Sequence, residues 1–348
     1  MVIKAKAEKV IKELGGRVTV ESFEKKMFRR NSDSDNVFYY YQNYIEKLLR
    51  DGQAGTASSY SSSLKSLKSF IHATKRRFAS VLPFATVTID FLNQYESWMN
   101  SEGKEKTTVG IYLRPLRALF NIAIAEGDIE AEVYPFGKRK YQIPGGRNIK
   151  KSLNKAGLSA LYKYPVEANS HLEKARDFWF FSYQCNGINF RDIAELKFKN
   201  VSVDTITFVR NKTKNTTRAH TKPIIISITP YVSIILNKYS NPSGLPDDYV
   251  FPIFHTGMDP VQKLKANQNF IRFVNQHIKK VARLAGLPED ISTYSARHSY
   301  TTVAIRNGAT MEYIQESLGH QSMSTTQNYW GGFEESVKTE IANKLMDF

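Results

Sequence analysis

The chain has 348 residues, enough for two domains each with its own core, and 41% hydrophobic with 12% aromatic residues excludes a disordered polymer. Its formal net charge is +16, spread along the chain: residues 1–150 carry 25 Lys and Arg against 16 Asp and Glu (+9), the remainder 24 against 17 (+7). No apolar run approaches the ~20 residues that span a bilayer, the lone Cys185 excludes an internal disulfide, and seven scattered histidines make no zinc spacing.

An evenly spread basic excess fits two domains facing one polyanion, so double-stranded DNA is the expected partner. A membrane surface fits less well, because no helix pairs a basic face with a strongly apolar one. The opening "MVIKAKAEKVIKELGG" predicts a charged amphipathic helix without the apolar core of a signal peptide. With one cysteine and no export signal, the expected setting is the bacterial cytoplasm, in association with the nucleoid.

Four helices follow. Residues 36–50 and 88–100 are two of them. In "TASSYSSSLKSLKSFIHATKRR" the apolar Tyr60, Leu64, Leu67 and Ile71 share one face, and in "KTTVGIYLRPLRALFNIAIAEG" Val109, Leu113, Leu116 and Phe120 do the same. Pro115 inside the latter is expected to kink it or shift its start. Charged helix faces are usually just solvated, but these are almost wholly positive, with Lys65, Lys68, Lys75, Arg76, Arg77, Arg114 and Arg117. That favours phosphate contact.

The stretch "FGKRKYQIPGGRNIKKSLNK", 136–155, holds seven basic residues and no acidic one. It reads as an extended linker along a phosphate backbone, with Lys138, Arg139, Lys140, Arg147, Lys150 and Lys151 as DNA contacts. The predicted divisions are therefore an N-terminal segment 1–32, a helical bundle 33–135, this linker, and a second domain 156–348.

Downstream, "SHLEKARDFWFFSYQC" predicts an apolar helix ending near Gly187. "VDTITFVR" and "KPIIISI" alternate as a strand pair around the turn "NKTKNTTRAHT". Long helices are expected over 259–286 and 294–307, a shorter one over 310–318 stopped by Gly319, and an amphipathic one over 333–348. The fold class is mainly α with a small β-hairpin. Between the last two helices "GHQSMSTTQNYW" places Tyr329 on a polar, flexible-looking run after His320. An arbitrary tyrosine there would be a surface residue; the alternative is a nucleophile.

Taken together, "YSARHSYTT", "ESLGHQSMSTTQNYW" and the hairpin "FVRNKTKNTT" resemble the tyrosine recombinases, the phage-integrase type, in the style of Bacteroides mobile-element integrases. The resemblance implies a two-domain DNA clamp, with a SAM-like core-site-binding bundle and a catalytic domain, and makes residues 1–32 a remnant of an arm-binding domain. It implies site-specific strand cleavage and rejoining through a 3′-phosphotyrosyl intermediate, with no cofactor and no metal. The assembly would be a homotetramer on DNA, monomeric when free, aided by accessory DNA-bending proteins.

By motif position Tyr329 matches the nucleophile, Arg297 the second catalytic arginine, His320 the phosphate-binding histidine, and Lys212 the lysine that protonates the leaving 5′ oxygen. His298 reads as a packing or hydrogen-bonding residue of its helix, outside the catalytic set. Two positions depart from the pattern. Tyr294 replaces the histidine of His-x-x-Arg, and is expected to hydrogen-bond the phosphate rather than act as a base. Asn189 in "NGINFRDIAELKF" stands where the first catalytic arginine is usual. Arg210, two residues before Lys212 and so on the same face of a strand, is the better candidate to replace that arginine; Arg191, turned away if its segment is helical, is the competing one. These departures keep two alternatives open: a non-catalytic architectural or directionality protein, and a nicking-closing topoisomerase.

Overall fold

The structure is a computed structural model that describes residues 2–15, 18–20, 23, 27, 33, 35–75, 80–145, 152–211, 222–242, 244–327, 329 and 335–345. The chain divides into two compact units, Met1–Arg147 and Asn148–Phe348. Among the described residues no helix is long and apolar enough to cross a membrane.

The first unit is helical: α1 (Val2–Leu14), α2 (Val37–Arg50), α3 (Ala54–Lys75), α4 (Ile89–Ser101) and α5 (Lys106–Ala125). Polar caps set the starts. Asn36 Oδ1 accepts from Phe38 N at 3.1 Å and from Leu82 N at 3.2 Å, which ties α2 to the segment before α4, and Thr88 caps α4 through Phe91 N. The helices α2 and α5 both pack on α3 around a core rich in rings, including Phe38, Tyr41, Phe70, Phe84, Tyr95 and Phe120. Pro115 does not shift the start of α5, which runs unbroken from Lys106; the residue is buried, and its packing offsets the hydrogen bond its missing N–H forfeits.

Phe136 and Tyr141, read from the sequence as linker, are buried in this same core, and the Tyr141 hydroxyl donates to Glu96 at 2.5 Å. The basic composition of the stretch concealed two aromatic anchors. Lys138, Arg139 and Lys140 remain exposed beside them, as do Lys65, Lys68, Arg114 and Arg117 on their helices. Arg76, Arg147, Lys150 and Lys151 lie outside the described residues.

The second unit contains α6 (Lys155–Lys163), α7 (His171–Gln184), α8 (Phe190–Glu195), β1 (Thr205–Phe208), β2 (Ile224–Ser227), α9 (Pro230–Tyr239), α10 (Pro260–Leu284), α11 (Thr293–Arg306), α12 (Met311–Leu318), α13 (Met323–Gln327) and α14 (Glu335–Lys344). Its spine is the apolar α7, against which α9, α10 and α11 pack. The two strands are antiparallel, with Ile206 opposite Ile226 and Phe208 opposite Ile224, and their inward side chains join the α7–α10 core. Lys238 on α9 pairs with Glu173 at 2.7 Å and Asp177 at 3.0 Å on α7, and the Tyr239 hydroxyl donates to Asp177 at 2.8 Å. The start of α11 is held by Trp179 Nε1, which donates to Ser292 O at 2.9 Å. Ser299 Oγ accepts from Leu153 N further along the helix. These ties fix where the α11 side chains emerge.

Candidate active site

The site begins at the end of α7. Asn186 and Gly187 both adopt left-handed backbone, φ 54° and 65°, and turn the chain sharply into α8. α11 crosses so close to this turn that a Cβ on Gly187 would lie 2.8 Å from the Arg297 Cα. Only glycine fits there. The approach buries Arg297 to 3% exposure and lets its guanidinium bridge three segments. Nη1 donates to Gly187 O at 2.8 Å, and Nη2 donates to Leu318 O at 2.8 Å and to His320 Nε2 at 3.0 Å. Burial, then the neighbouring Arg210, pushes the Arg297 pKa down to about 10, so the group remains cationic at neutral pH.

Because arginine can only donate, His320 Nε2 must accept from it. The imidazole is therefore neutral in this arrangement, with its proton on Nδ1, where it donates to Thr326 Oγ1 at 3.0 Å. His320 itself is placed by Gly319, the left-handed cap of α12 (φ 62°); a Cβ there would fall 2.6 Å from Ile224 Cδ1.

The polar run before Tyr329 contains a short helix, α13, with Thr326 wholly buried. Tyr329 is not a surface loop residue. It is 8% exposed, clusters with Ile314 and Leu318, and has its ring flanked by His298 and His320, each at a 5.0 Å centroid distance. The Arg297 Cζ lies 5.2 Å from the same ring. The Tyr329 hydroxyl meets the Tyr294 hydroxyl at 2.6 Å. His298, left out of the sequence-derived set, touches Tyr329 twice, by its ring and through Nδ1 at 3.3 Å from the Tyr329 carbonyl oxygen. Its position one turn after Tyr294 on α11 was the available signal.

Strand alternation was the reason for preferring Arg210, and the geometry corrects that reason. β1 ends at Phe208, so Arg210 follows the strand rather than lying on it. It is nevertheless buried, at 9% exposure, and lines the same cleft of about 350 Å³ as Asn189, Arg191, Asp192, Tyr294, Arg297 and Tyr329. Asp192, 5% exposed, accepts from Asn211 N at 2.9 Å and faces both Arg210 and Arg297. Burial pushes its carboxyl pKa up, against the pull of the Asn211 amide and the two guanidiniums. Arg191 is tied elsewhere: its Nη2 pairs with Glu195 at 2.6 Å, one turn along α8, and its guanidinium stacks over Phe254. Lys212 lies outside the described residues. Among those described, the Nε atoms of both Arg210 and Arg297 are buried without a hydrogen-bond partner. Both arginines line the cleft, so an oxyanion seated there would meet two cationic side chains. No three His, Cys, Asp or Glu side chains gather as a metal site among the described residues.

A helical bundle followed by a helical unit with one hairpin, its buried arginines gathered around a tyrosine, is the architecture of a phosphodiester strand-transfer protein. The chain belongs to the phage integrase family: the model described as Phage integrase family matches residues 150–334, and that described as Phage integrase SAM-like domain matches 36–143. Tyrosine recombinase XerD of Pseudomonas putida is 22% identical over 247 residues, 69% of this chain and 76% of that protein. Tyrosine recombinase XerC of Rickettsia bellii is 49% identical over 55 residues, but these span only 16% of this chain and 18% of that one. In fold the chain is similar to the Tn1549 transposon integrase in complex with transposon right end DNA, with a TM-score of 0.58, 15% identity, and 88% of this chain and 99% of that one covered. It is also similar to a lambda integrase dimer bound to a core site, with a TM-score of 0.57, 16% identity, and 85% and 98% covered.

Proposed function

We propose that this protein is a site-specific DNA recombinase of mobile-element type that cleaves and rejoins duplex DNA through Tyr329. The observation that carries the reading is the convergence of Tyr329, Tyr294, Arg297 and Arg210 on one small cleft, with His320 bonded to Arg297 behind them. The Tyr329 oxygen attacks the phosphorus of a phosphodiester and the bond to the 5′ oxygen breaks. The products are a 3′-phosphotyrosyl ester and a 5′-hydroxyl, and a second 5′-hydroxyl reverses the step on another strand. Bond energy stays in the ester, so no nucleotide hydrolysis is needed.

Arg297 and Arg210 stabilise the extra charge on the phosphorane, in a cleft where the low dielectric strengthens each contact. His320 orients Arg297 by accepting from its Nη2. Lys212 serves as the leaving-group acid, as the family motif implies. The bundle of residues 33–135 holds the core site through the exposed Lys65, Lys68, Arg114 and Arg117, with Lys138, Arg139 and Lys140 beside it and Arg76, Arg147, Lys150 and Lys151 completing the basic set. Four protomers on two duplexes, working on the nucleoid in the cytoplasm, make up the active assembly.

The test is covalent trapping on genomic fragments, with the attached ends sequenced to give site and polarity together. Wild-type protein should form the adduct in EDTA, because side-chain cations do the charge stabilisation. Tyr329→Phe should form none while binding duplex as well as wild type, since affinity comes from many phosphate contacts. An adduct from the Phe variant, or cleavage that stops in chelator and returns with magnesium, would overturn the assignment. Cleavage without exchange between two duplexes would identify a nicking-closing topoisomerase instead.

A further inference from the structure

Tyr294 stands one helical turn before Arg297, where the family motif has histidine, and it is the outer member of a hydroxyl pair. It is 52% exposed while Tyr329 is 8% exposed, and their oxygens lie 2.6 Å apart, at the short end of the O–H···O range. The nucleophile must lose its proton as it bonds to phosphorus, and in this arrangement its hydroxyl is hydrogen-bonded to Tyr294. The one lone pair of His320 accepts from Arg297, and its Nδ1 proton goes to Thr326. His298 directs Nδ1 to the Tyr329 backbone. A hydroxyl can accept and donate at once, which neither a neutral imidazole nitrogen nor a guanidinium can do.

We propose that Tyr294 is the proton relay of the cleavage step, accepting the Tyr329 proton while passing its own to the phosphate. This rests on the recombinase reading above. As the Tyr329 oxygen–phosphorus bond forms, the Tyr329 proton moves to the Tyr294 oxygen, and the Tyr294 proton moves to a non-bridging oxygen of the phosphorane. The phosphorus–O5′ bond then breaks with its electron pair on O5′, which takes a proton from the leaving-group acid, while the non-bridging oxygen releases the one it received to solvent, from which that acid is reprotonated. Tyr294 ends as the neutral phenol it began as. Burial and its Tyr329 partner hold the Tyr294 pKa above the ordinary value, so the relay never requires a tyrosinate. The Tyr294 and Tyr329 rings, 5.7 Å apart and inclined at 46°, already set the two oxygens side by side.

The experiment is single-turnover cleavage of a nicked duplex carrying the site recovered by covalent trapping, comparing wild type, Tyr294→Phe and Tyr294→His. A second substrate replaces the 5′ bridging oxygen with sulfur, whose departure needs no proton. Tyr294→Phe should cleave about 100-fold more slowly, the ordinary scale for removal of a proton-transfer group, with duplex Kd within about twofold of wild type. The defect should persist on the sulfur substrate, because the nucleophile still has to shed its proton. Tyr294→His should recover part of the rate, rising with pH as the imidazole becomes neutral near its ordinary pKa of ~6.5. Unimpaired cleavage by Tyr294→Phe would overturn the relay. So would rescue by sulfur, which would make Tyr294 a leaving-group acid, or a loss of affinity matching the loss of rate, which would make it a phosphate anchor. A Tyr294→Phe protein that unfolds is replaced by Tyr294→His, for which a pH-independent rate equal to wild type overturns the proposal equally. Absence of any wild-type adduct would sink the parent reading with it, whereas an active wild type and an equally active Tyr294→Phe sink the relay alone.

Discussion

At the residue scale the decisive feature is how two buried guanidiniums are neutralised and how much of each is left for a ligand. Arg297 commits both Nη atoms to protein acceptors and the Asp192 carboxylate attracts both guanidiniums, yet the Nε of each has no hydrogen-bond partner. Arg191, equally basic and nearer to Asn189 in sequence, is already satisfied by Glu195 and Phe254. Arg210→Ala should therefore lower the cleavage rate by ~10²–10³, the cost of losing one preorganised donor, and Arg191→Ala should do much less. Single-turnover rates of the two variants decide it; a dead Arg191→Ala beside a near-normal Arg210→Ala would reverse the assignment. Asp192→Asn probes the other sign. It keeps an acceptor for the Asn211 amide but leaves two cations facing each other, which should destabilise the free protein by roughly 1–3 kcal/mol. Bound duplex should restore much of that loss by supplying phosphate charge. Urea denaturation with and without DNA measures both, and a deficit that DNA leaves unchanged would mean Asp192 acts through packing alone.

At the scale of elements, the turn after α7 and the crossing helix α11 form one device. Gly187 accepts from Arg297 through its carbonyl and admits α11 because it lacks a Cβ. Gly187→Ala meets two penalties: left-handed backbone, worth roughly 1–2 kcal/mol for a residue with a Cβ, and a collision with backbone rather than with a flexible tip. Expected are a lower melting temperature and a cleavage defect larger than any loss of DNA affinity, since the displaced group is the Arg297 guanidinium. Normal cleavage by a destabilised Gly187→Ala protein would show that the turn supports the fold without tuning the site. Helix periodicity made α3 and α5 legible in advance, because an apolar stripe repeats every three to four residues, whereas α11, whose buried residues are mostly polar, was read from helix start and stop signals. It could not reveal α13, which is five residues of Met, Ser, Thr and Gln with a single buried side chain, Thr326.

At the scale of the whole molecule, charge and an unpartnered stripe lead to different expectations. Lys65 and Lys68 are exposed one turn apart on α3. Replacing both with alanine should weaken binding to every duplex alike and make the log–log salt slope shallower by about 2, one per phosphate contact. An unchanged slope would remove this face from the DNA interface. Ile341 on α14 is 50% exposed and Leu345, just past its end, is 72% exposed, apolar surface left uncovered within one chain. Deleting residues 335–348 should reduce multi-protomer assembly more than single-site binding, as gel-shift titration would report. Equal loss of both would mean that the helix only completes its own unit.

The sequence by itself determined the composition class, the positive charge of both halves, most of the long helices, the strand pair and the family, because those follow from local periodicity and from motifs short enough to read in order. It also contained the clue to Phe136 and Tyr141, but seven basic residues outweighed two aromatic ones until the core was seen to enclose them. Only the tertiary structure decided that Tyr329 is buried against His298 and His320, that Arg210 is buried in the cleft while Arg191 is paired with Glu195, and that Tyr294 touches Tyr329. Tyr329 lies 31 positions from His298 and 35 from Tyr294. Such pairs are set by how α7, α11 and α12 pack around one glycine turn, and no period along the chain records that distance.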